Sequence, residues 1–284
     1  MRPLRHDPPL PSASRPDAAV AEAAPRLGVV RGVEAPGGAR SVPALSVVIP
    51  MYNEAENVVP LVSEVCGTLG AGGDYEVVLV DDGSKDATLR EMQHARALYG
   101  QQVRILRHDR NRGQSSGIWT GVSAARGRLV ATLDGDGQND PADIPRLVET
   151  LYARAPEGVT MVVGERQKRH DSWLRRVSSR VANSVRNALL HDGIADTGCG
   201  LKVFDRTAFL ELAPFDHMHR FLPALVQAKG GIVVALPVSH RARRAGRSKY
   251  GVGNRLWVGI VDLAGVMWLT RRGIAPNASR EEIE

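Results

Sequence analysis

The sequence is poor in cysteine, in aromatic residues and in long apolar runs, and each shortage removes a class of protein. Two cysteines in 284 residues, Cys66 and Cys199, are too few for a disulfide framework and lack the C-x-x-C spacing of a zinc site. Both are expected to be reduced thiols, which points to the cytosol and away from secretion. No stretch reaches the roughly 18 uninterrupted apolar residues of a spanning helix. The N-terminus, with Arg2 and Arg5, has no apolar core of a signal peptide. No G-x-G-x-x-G follows the first apolar run, which disfavours a dehydrogenase, and the absence there of any Gly-rich phosphate loop disfavours nucleotidyl transfer. No internal repeat is visible.

What is present is a basic balance and an alternating pattern. A formal net charge of +6 attracts phosphates, anionic lipid or nucleic acid without choosing among them. Residues 1–43 are rich in Pro, Ala, Arg and Gly without apolar periodicity, and are expected to form a disordered extension. From residue 44 the chain alternates. Strands are expected at Leu45–Pro50, stopped by the proline, and at Tyr75–Val80, Gln102–Leu106, Arg128–Leu133, Val159–Gly164 and Ile232–Val238. Helices are expected over Glu56–Leu69, from near Asp86, and over Gln114–Ala125, Asp143–Tyr152, Trp173–Leu190 and Arg220–Ala228. Strands alternating with helices specify an α/β fold, an open doubly wound sheet with ligands at the carboxyl ends of its strands.

Polar clusters end the first, second and fourth of these strands: Pro50-Met-Tyr-Asn-Glu54, Asp81-Asp-Gly-Ser84 and Asp134-Gly-Asp-Gly-Gln138. They should converge on one sheet edge. Asp134 and Asp136, one residue apart, can face one cation, because a hard divalent ion prefers carboxylate oxygens together with phosphate oxygens. Taken singly, each cluster has a plain alternative: an Asx turn at Asp134, a helix cap at Asn53 and Glu54, a simple turn at Asp82-Gly83. In the second half, Arg176, Arg180, Asn183 and Ser184 fall on one face of a helix, a surface fit for phosphate or simply a solvated basic face. Arg243-Arg-Ala-Gly-Arg-Ser-Lys-Tyr250 is a basic loop with a glycine to bend it.

In their order these motifs resemble the family 2 glycosyltransferases of the GT-A fold. More narrowly they resemble the dolichyl-phosphate mannosyltransferase group of polyprenyl-phosphate glycosyltransferases, over about Leu45 to Asn254. The resemblance implies one GT-A domain over residues 44–254, a Rossmann-like, mostly parallel sheet flanked by helices. It implies that Pro50, Tyr52 and Glu54 line a nucleoside site with Asp81 or Asp82 beside the base, and that Asp134, Asp136 and Gln138 gather Mg²⁺ or Mn²⁺ and the diphosphate. Arg166, Arg180 and Ser184 match positions that contact a lipid phosphate in the family, and Arg220 fits the helix beside the acceptor pocket. Arg247 and Lys249 match the loop that closes over the donor diphosphate. Asp196-Thr-Gly-Cys-Gly-Leu-Lys202 also matches a family loop, with a Gly-rich turn as its plain alternative.

The implied reaction is attack by a polyprenyl-phosphate oxygen on the anomeric carbon of a nucleotide-sugar, GDP-mannose or a UDP-sugar, with inversion. Asp136, Arg166 and Arg180 are the residues expected to carry it. The acceptor is already an anion, so no general base is needed, consistent with the lack of the Gln-x-x-Arg-Trp motif of processive synthases. A saccharide hydroxyl of an envelope glycan is the alternative acceptor, and a basic membrane-surface module the non-enzymatic one; no nucleic-acid partner is expected. The segment Leu256–Leu269, apolar but for Asp262 and flanked by Arg255, Arg271 and Arg272, is too short to span a bilayer. With Trp257 and Trp268 near its ends it suits an amphipathic helix over residues 255–272, lying on an anionic membrane at the cytoplasmic face. Burial, or contact in a homo-oligomer, is its alternative use. A polar tail, 273–284, follows.

Overall fold

A computed structural model of the chain describes residues 43–70, 72–167, 186–243 and 255–272, with the backbone alone for 255–258. The extension up to residue 42, the tail from 273, and Arg180, Ser184, Arg247 and Lys249 lie outside the described residues.

The strands are β1 (Leu45–Met51), β2 (Tyr75–Asp81), β3 (Val103–Arg107), β4 (Leu129–Thr132), β5 (Val159–Arg166), β6 (Lys202–Asp205) and β7 (Ile232–Val238). They form one sheet in the order β3-β2-β1-β4-β6-β5-β7. β1 pairs in parallel with β2 and β4, β2 with β3, and β5 with β7. β6 runs antiparallel to both β4 and β5. The helices are α1 (Ala55–Leu69), α2 (Thr88–Tyr99), α3 (Gln114–Ala124), α4 (Ile144–Arg154), a segment α5 at residues 186–190, α6 (Arg206–Leu210), α7 (Leu222–Ala228) and α8 (Arg255–Arg271). The mostly parallel α/β sheet flanked by helices expected from the sequence is observed, with β6 as an antiparallel strand within it.

β1 and β2 are buried along their whole length, which is why they read as continuous apolar runs: helices cover both faces of the sheet. Val47, Ile49 and Met51 pack with Val58, Val62 and Val65 of α1 and with α2 and α4. Val48, pointing the other way, packs with Ile118 and Val122 of α3 and with α6 and α7. Each such aliphatic side chain contributes roughly 1.5–3 kcal/mol by leaving water. α3 lies close on β1 because it carries Gly117 and Gly121, where a Cβ would overlap Pro50 and Val48 respectively.

Three sequence expectations are corrected. β1 does not stop at Pro50 but continues through Met51. Pairing with β4 ends at Val48, so the missing N–H of Pro50 leaves no ladder bond unmade on that side. Second, α2 begins at Thr88, because the Asp86 carboxylate accepts from the Thr88 backbone N–H at 2.9 Å. The expected Arg220–Ala228 helix is likewise a 3₁₀ turn, Met218–Arg220, followed by α7 from Leu222. Third, β6 was absent from the expected strands. Its reversed direction carries its first residue, Lys202, and the preceding loop to the edge where the parallel strands end.

Candidate active site

The loops after β1 and β2 interlock. Asn53, with a left-handed φ of 51°, donates its backbone N–H to Ser84 Oγ at 3.0 Å and accepts from Lys85 N at 2.8 Å. Glu54 N donates to Thr88 Oγ1 at 2.9 Å, and the Glu54 carboxylate accepts from Asn57 Nδ2 at 2.7 Å. Tyr52 is half-buried beside this lattice and Pro50 is buried inside β1, so the proline forms part of the floor.

The two aspartates that follow β2 have different surroundings. Asp82 is saturated: its oxygens accept from His108 Nδ1 at 2.7 Å and from the backbone N–H groups of Arg112 at 2.8 Å and Gly113 at 2.9 Å. Three donors to one carboxylate fix the chain that enters α3. Asp81, fully buried, accepts from Ser84 N at 2.9 Å with Oδ1, while Oδ2 faces Arg107 Nε at 3.3 Å. Of the pair, Asp81 keeps the unfilled acceptor, because its buried Oδ2 has no hydrogen-bond partner.

Asp134 and Asp136 stand past the end of β4, both half-buried. Asp134 Oδ1 accepts from Gln114 Nε2 at 2.6 Å, across from the first turn of α3. Burial, and then the neighbouring Asp136 carboxylate, push the Asp134 carboxyl up to about 6, against the pull of Lys202, Arg166 and Gln114. Asp136 Oδ1 accepts from Gln138 N at 3.1 Å, and its Oδ2 takes Arg243 Nη2 at 2.7 Å. Among the described residues no group of three or more His, Cys, Asp and Glu is placed to hold a metal ion. Two carboxylates suit an ion whose remaining ligands come from phosphate oxygens. Two observations fit such an ion: Asp136 already binds a cationic group, and Gly200 lies against Asp134 so closely that a Cβ would overlap its carboxylate.

The loop ahead of β6 forms the other wall. Thr132 Oγ1 donates to Gly200 O at 2.7 Å, Gly164 N donates to Leu201 O at 2.9 Å, and Lys202 Nζ bonds Cys199 O. Lys202 is buried; burial lowers its ammonium pKa, with Cys199, Asp134 and Asp196 acting to raise it. Arg166, at the end of β5, makes a two-point pair with Asp196, Nε to Oδ2 at 2.7 Å and Nη2 to Oδ1 at 2.8 Å. Burial works to lower the Arg166 guanidinium pKa, but Asp196 outweighs it and holds the group charged. The same loop receives Arg186 of α5, which pairs with Asp192 at 3.1 Å and bonds Thr197 Oγ1 and Ile194 O. Arg220 is exposed on the 3₁₀ turn before α7. Beside it His219 Nδ1 meets Ser115 Oγ at 2.7 Å. Burial, then the charges of Lys202 and Arg220, pull the His219 imidazole down to about 3, so it is neutral at ordinary pH.

The structure thus brings Tyr52, Glu54, Asp81, Asp134, Asp136, Gln138 and Arg166 to one edge of the sheet. Sequence reasoning passed over Gln114 and His219 as site residues, and named Lys202 only as the end of a loop. Gln114 left a positional signal, since it follows the Asn111-Arg-Gly113 break and so opens α3 at the carboxyl edge. His219 left none, because its partner Ser115 is distant in sequence.

Comparison with known proteins agrees with this geometry. Residues 46–213 match the family model described as glycosyl transferase family 2. The chain is 38% identical over 240 residues to dodecaprenyl-phosphate galacturonate synthase of Rhizobium johnstonii, covering 82% of this chain and 69% of the relative. It is 36% identical to undecaprenyl-phosphate 4-deoxy-4-formamido-L-arabinose transferase of Edwardsiella ictaluri, covering 75% of this chain and 65% of the relative. The match therefore spans about two thirds of these relatives' length. In fold the chain is similar to glucosyl-3-phosphoglycerate synthase of Mycobacterium tuberculosis, crystallised with Mn²⁺, UDP-glucose and glycerol 3-phosphate. That match has a TM-score of 0.56 at 20% identity, over 83% of this chain and 82% of the other. Mannosyl-3-phosphoglycerate synthase of Rubrobacter xylanophilus superposes with a TM-score of 0.55 at 16% identity, over 85% and 79%. With its strand-end carboxylates gathered on a sheet of this topology, the chain is a glycosyltransferase and belongs to glycosyl transferase family 2.

Proposed function

We propose that the protein moves a sugar from a nucleotide-sugar to a polyprenyl phosphate, with inversion at the anomeric carbon. The observation that carries this reading is the closeness of two opposite charge sites on one edge. The Asp134 carboxylate, two residues from Asp136, lies against Gly200, and the Arg166 guanidinium, paired with Asp196, lies against Gly198 of the same loop. The relatives named above, which act on polyprenyl phosphates by their names, support the acceptor class.

In this reading Tyr52, Glu54 and Asp81 hold the nucleoside, Asp134, Asp136 and Gln138 hold Mg²⁺ or Mn²⁺ against the diphosphate, and Arg247 and Lys249 supply further positive charge for it. The ion, when bound, neutralises charge on the departing diphosphate. Arg166, with Arg180, Ser184 and Arg220, fixes the acceptor phosphate. One phosphate oxygen forms the new bond to the anomeric carbon as the bond to the nucleoside diphosphate breaks. The nucleophile is already ionised, so alignment and charge neutralisation supply the catalysis. α8 would lie on the membrane: Ile260, Val261 and Trp268 are exposed on its outer side, next to Arg271 and Arg272, while Val266 faces the core. No described helix is long and apolar enough to cross a bilayer. The enzyme would then act from the cytoplasmic face.

The test is direct. Purified protein is incubated with undecaprenyl phosphate, Mn²⁺ and a panel of donors, GDP-mannose and UDP-linked hexoses, uronic acids and amino sugars, and lipid-linked sugar is measured. Transfer that is lost with a chelator and with Asp136→Asn is the expected result. Transfer to a saccharide hydroxyl in place of the lipid would overturn the acceptor assignment.

A further inference from the structure

We propose that Arg243 is a resident, displaceable cation of the donor site, which keeps free divalent ions off Asp136 until an ion arrives together with a nucleoside diphosphate. This rests on the reading of Asp136 as a metal ligand.

The chain leading to Arg243 is tied down. Asn139 and His240 form an antiparallel bridge, and Arg241 N donates to Gln138 O at 2.9 Å. The Arg241 guanidinium straddles Glu64 and Asp140, at 2.6 Å from each. The start of the basic loop is thereby fastened to the loop bearing Asp136, and Arg243 comes two residues beyond the fixed point. Asp136 Oδ1 is occupied by Gln138 N, so Oδ2 is the oxygen left for a cation, and Arg243 Nη2 sits on it at 2.7 Å. Arg243 Nη1 reaches toward Glu54 Oε1 at 3.9 Å and, though buried, has no hydrogen-bond partner. The guanidinium therefore spans the gap between two carboxylates of the donor site and is held well by only one of them.

A bare ion approaching Asp136 must expel this guanidinium and leave it only the Glu54 carboxylate, at 3.9 Å. An ion carrying a diphosphate brings the replacement anion with it: the ion takes Asp136, and Arg243 exchanges a carboxylate for phosphate oxygens, which suit its planar fork equally well. Binding of ion and nucleotide is thereby made mutually dependent, as linkage requires of two ligands whose sites share one displaced group.

Mn²⁺ binding to the full chain is measured by the electron paramagnetic resonance of the free ion, with and without UDP or GDP, for wild type, Arg243→Gln, Arg243→Lys and Asp136→Asn. Circular dichroism melting verifies the fold of each. Arg243→Gln should bind Mn²⁺ alone about tenfold more tightly than wild type, the equivalent of about 1.4 kcal/mol. Arg243→Lys, which keeps the charge, should stay near wild type, and the advantage of the Gln variant should shrink once nucleotide is present. Equal affinity of wild type and Arg243→Gln for Mn²⁺ alone, or no detectable binding by either, overturns the inference. Failure of the donor-site reading looks different: Asp136→Asn would then bind Mn²⁺ with nucleotide as well as wild type does.

Discussion

Arg166 and Asp196 meet through two parallel hydrogen bonds of 2.7 and 2.8 Å, from the end of β5 to the loop ahead of β6. Two of the five guanidinium N–H donors are directed at the carboxylate, which leaves the others, already oriented, for a ligand. Asp196→Asn keeps the shape and removes the charge and one acceptor. The expected outcome is a rise of about tenfold in KM for undecaprenyl phosphate with kcat little changed, an effect of about 1.4 kcal/mol. Titration of the acceptor at fixed donor measures it; a role in stability alone would lower the melting temperature and leave KM where it was.

Gly200→Ala tests the cradle around Asp134. The added methyl would overlap the carboxylate, so either Asp134 swings away or the 199–201 loop shifts. Mn²⁺ binding in the presence of nucleotide should fall by at least about tenfold, read by the same resonance titration. The overall fold should survive, because Gly200 is only half-buried.

The parallel half of the fold was legible because physics wrote it locally. β1 and β2 need both faces apolar, so Leu45–Pro50 and Tyr75–Val80 stand out as runs, and the clusters after them fall at the sheet edge by topology alone. β6 was not legible. It has four residues, Lys-Val-Phe-Asp, polar at both ends, and its buried Lys202 breaks the rule that strands of a covered sheet are apolar. Cys199 O and Asp196 from its own loop, and Asp134 from the loop after β4, make that lysine acceptable there, and only the folded loop brings them to it. The difference between Asp81 and Asp82 was hidden because the donors that saturate Asp82 come from residues 108–113.

Asp134 gives a pH-dependent stability with a definite sign. Its pKa is raised in the folded protein to about 6 from 3.8, so the folded state binds the proton more tightly than the unfolded chain does. Its contribution is favourable below about pH 4 and is lost as pH rises through about 6. In metal-free protein at pH 7.5 or so, Asp134→Asn should therefore raise stability by on the order of 2 kcal/mol, from about two pKa units. The gain should vanish near pH 4. Urea denaturation at the two pH values measures it, and a saturating metal ion with nucleotide should reverse the ranking in favour of wild type.

His219 behaves in the opposite sense. Its pKa is lowered to about 3 from 6.5, so its contribution is present above about 6.5 and is lost as pH falls toward 3. The loss should approach roughly 1 kcal/mol per pH unit within that window. His219→Gln, which can still accept from Ser115 Oγ, should flatten the acid limb of the stability profile. An unchanged acid limb would mean that another group dominates.

The outer side of α8 predicts attachment to anionic vesicles. Trp268, 65% exposed, should contribute on the order of 1–2 kcal/mol, so Trp268→Ser should cut co-sedimentation with phosphatidylglycerol vesicles by about tenfold. Unchanged sedimentation together with a shift in molecular mass would assign the face to contact between copies.

The reversal of β6 separates two properties that a fully parallel sheet would couple. Because the strand enters from the carboxyl edge, residues 191–201 run along the rim between the Asp134 and Asp136 carboxylates and Arg166 without belonging to the frame of either. Lengthening or shortening that rim would change the spacing between donor and acceptor while leaving every strand in register. In the proposed reading, a change in this single segment would alter the fit of the acceptor and leave the donor-binding carboxylates as they are.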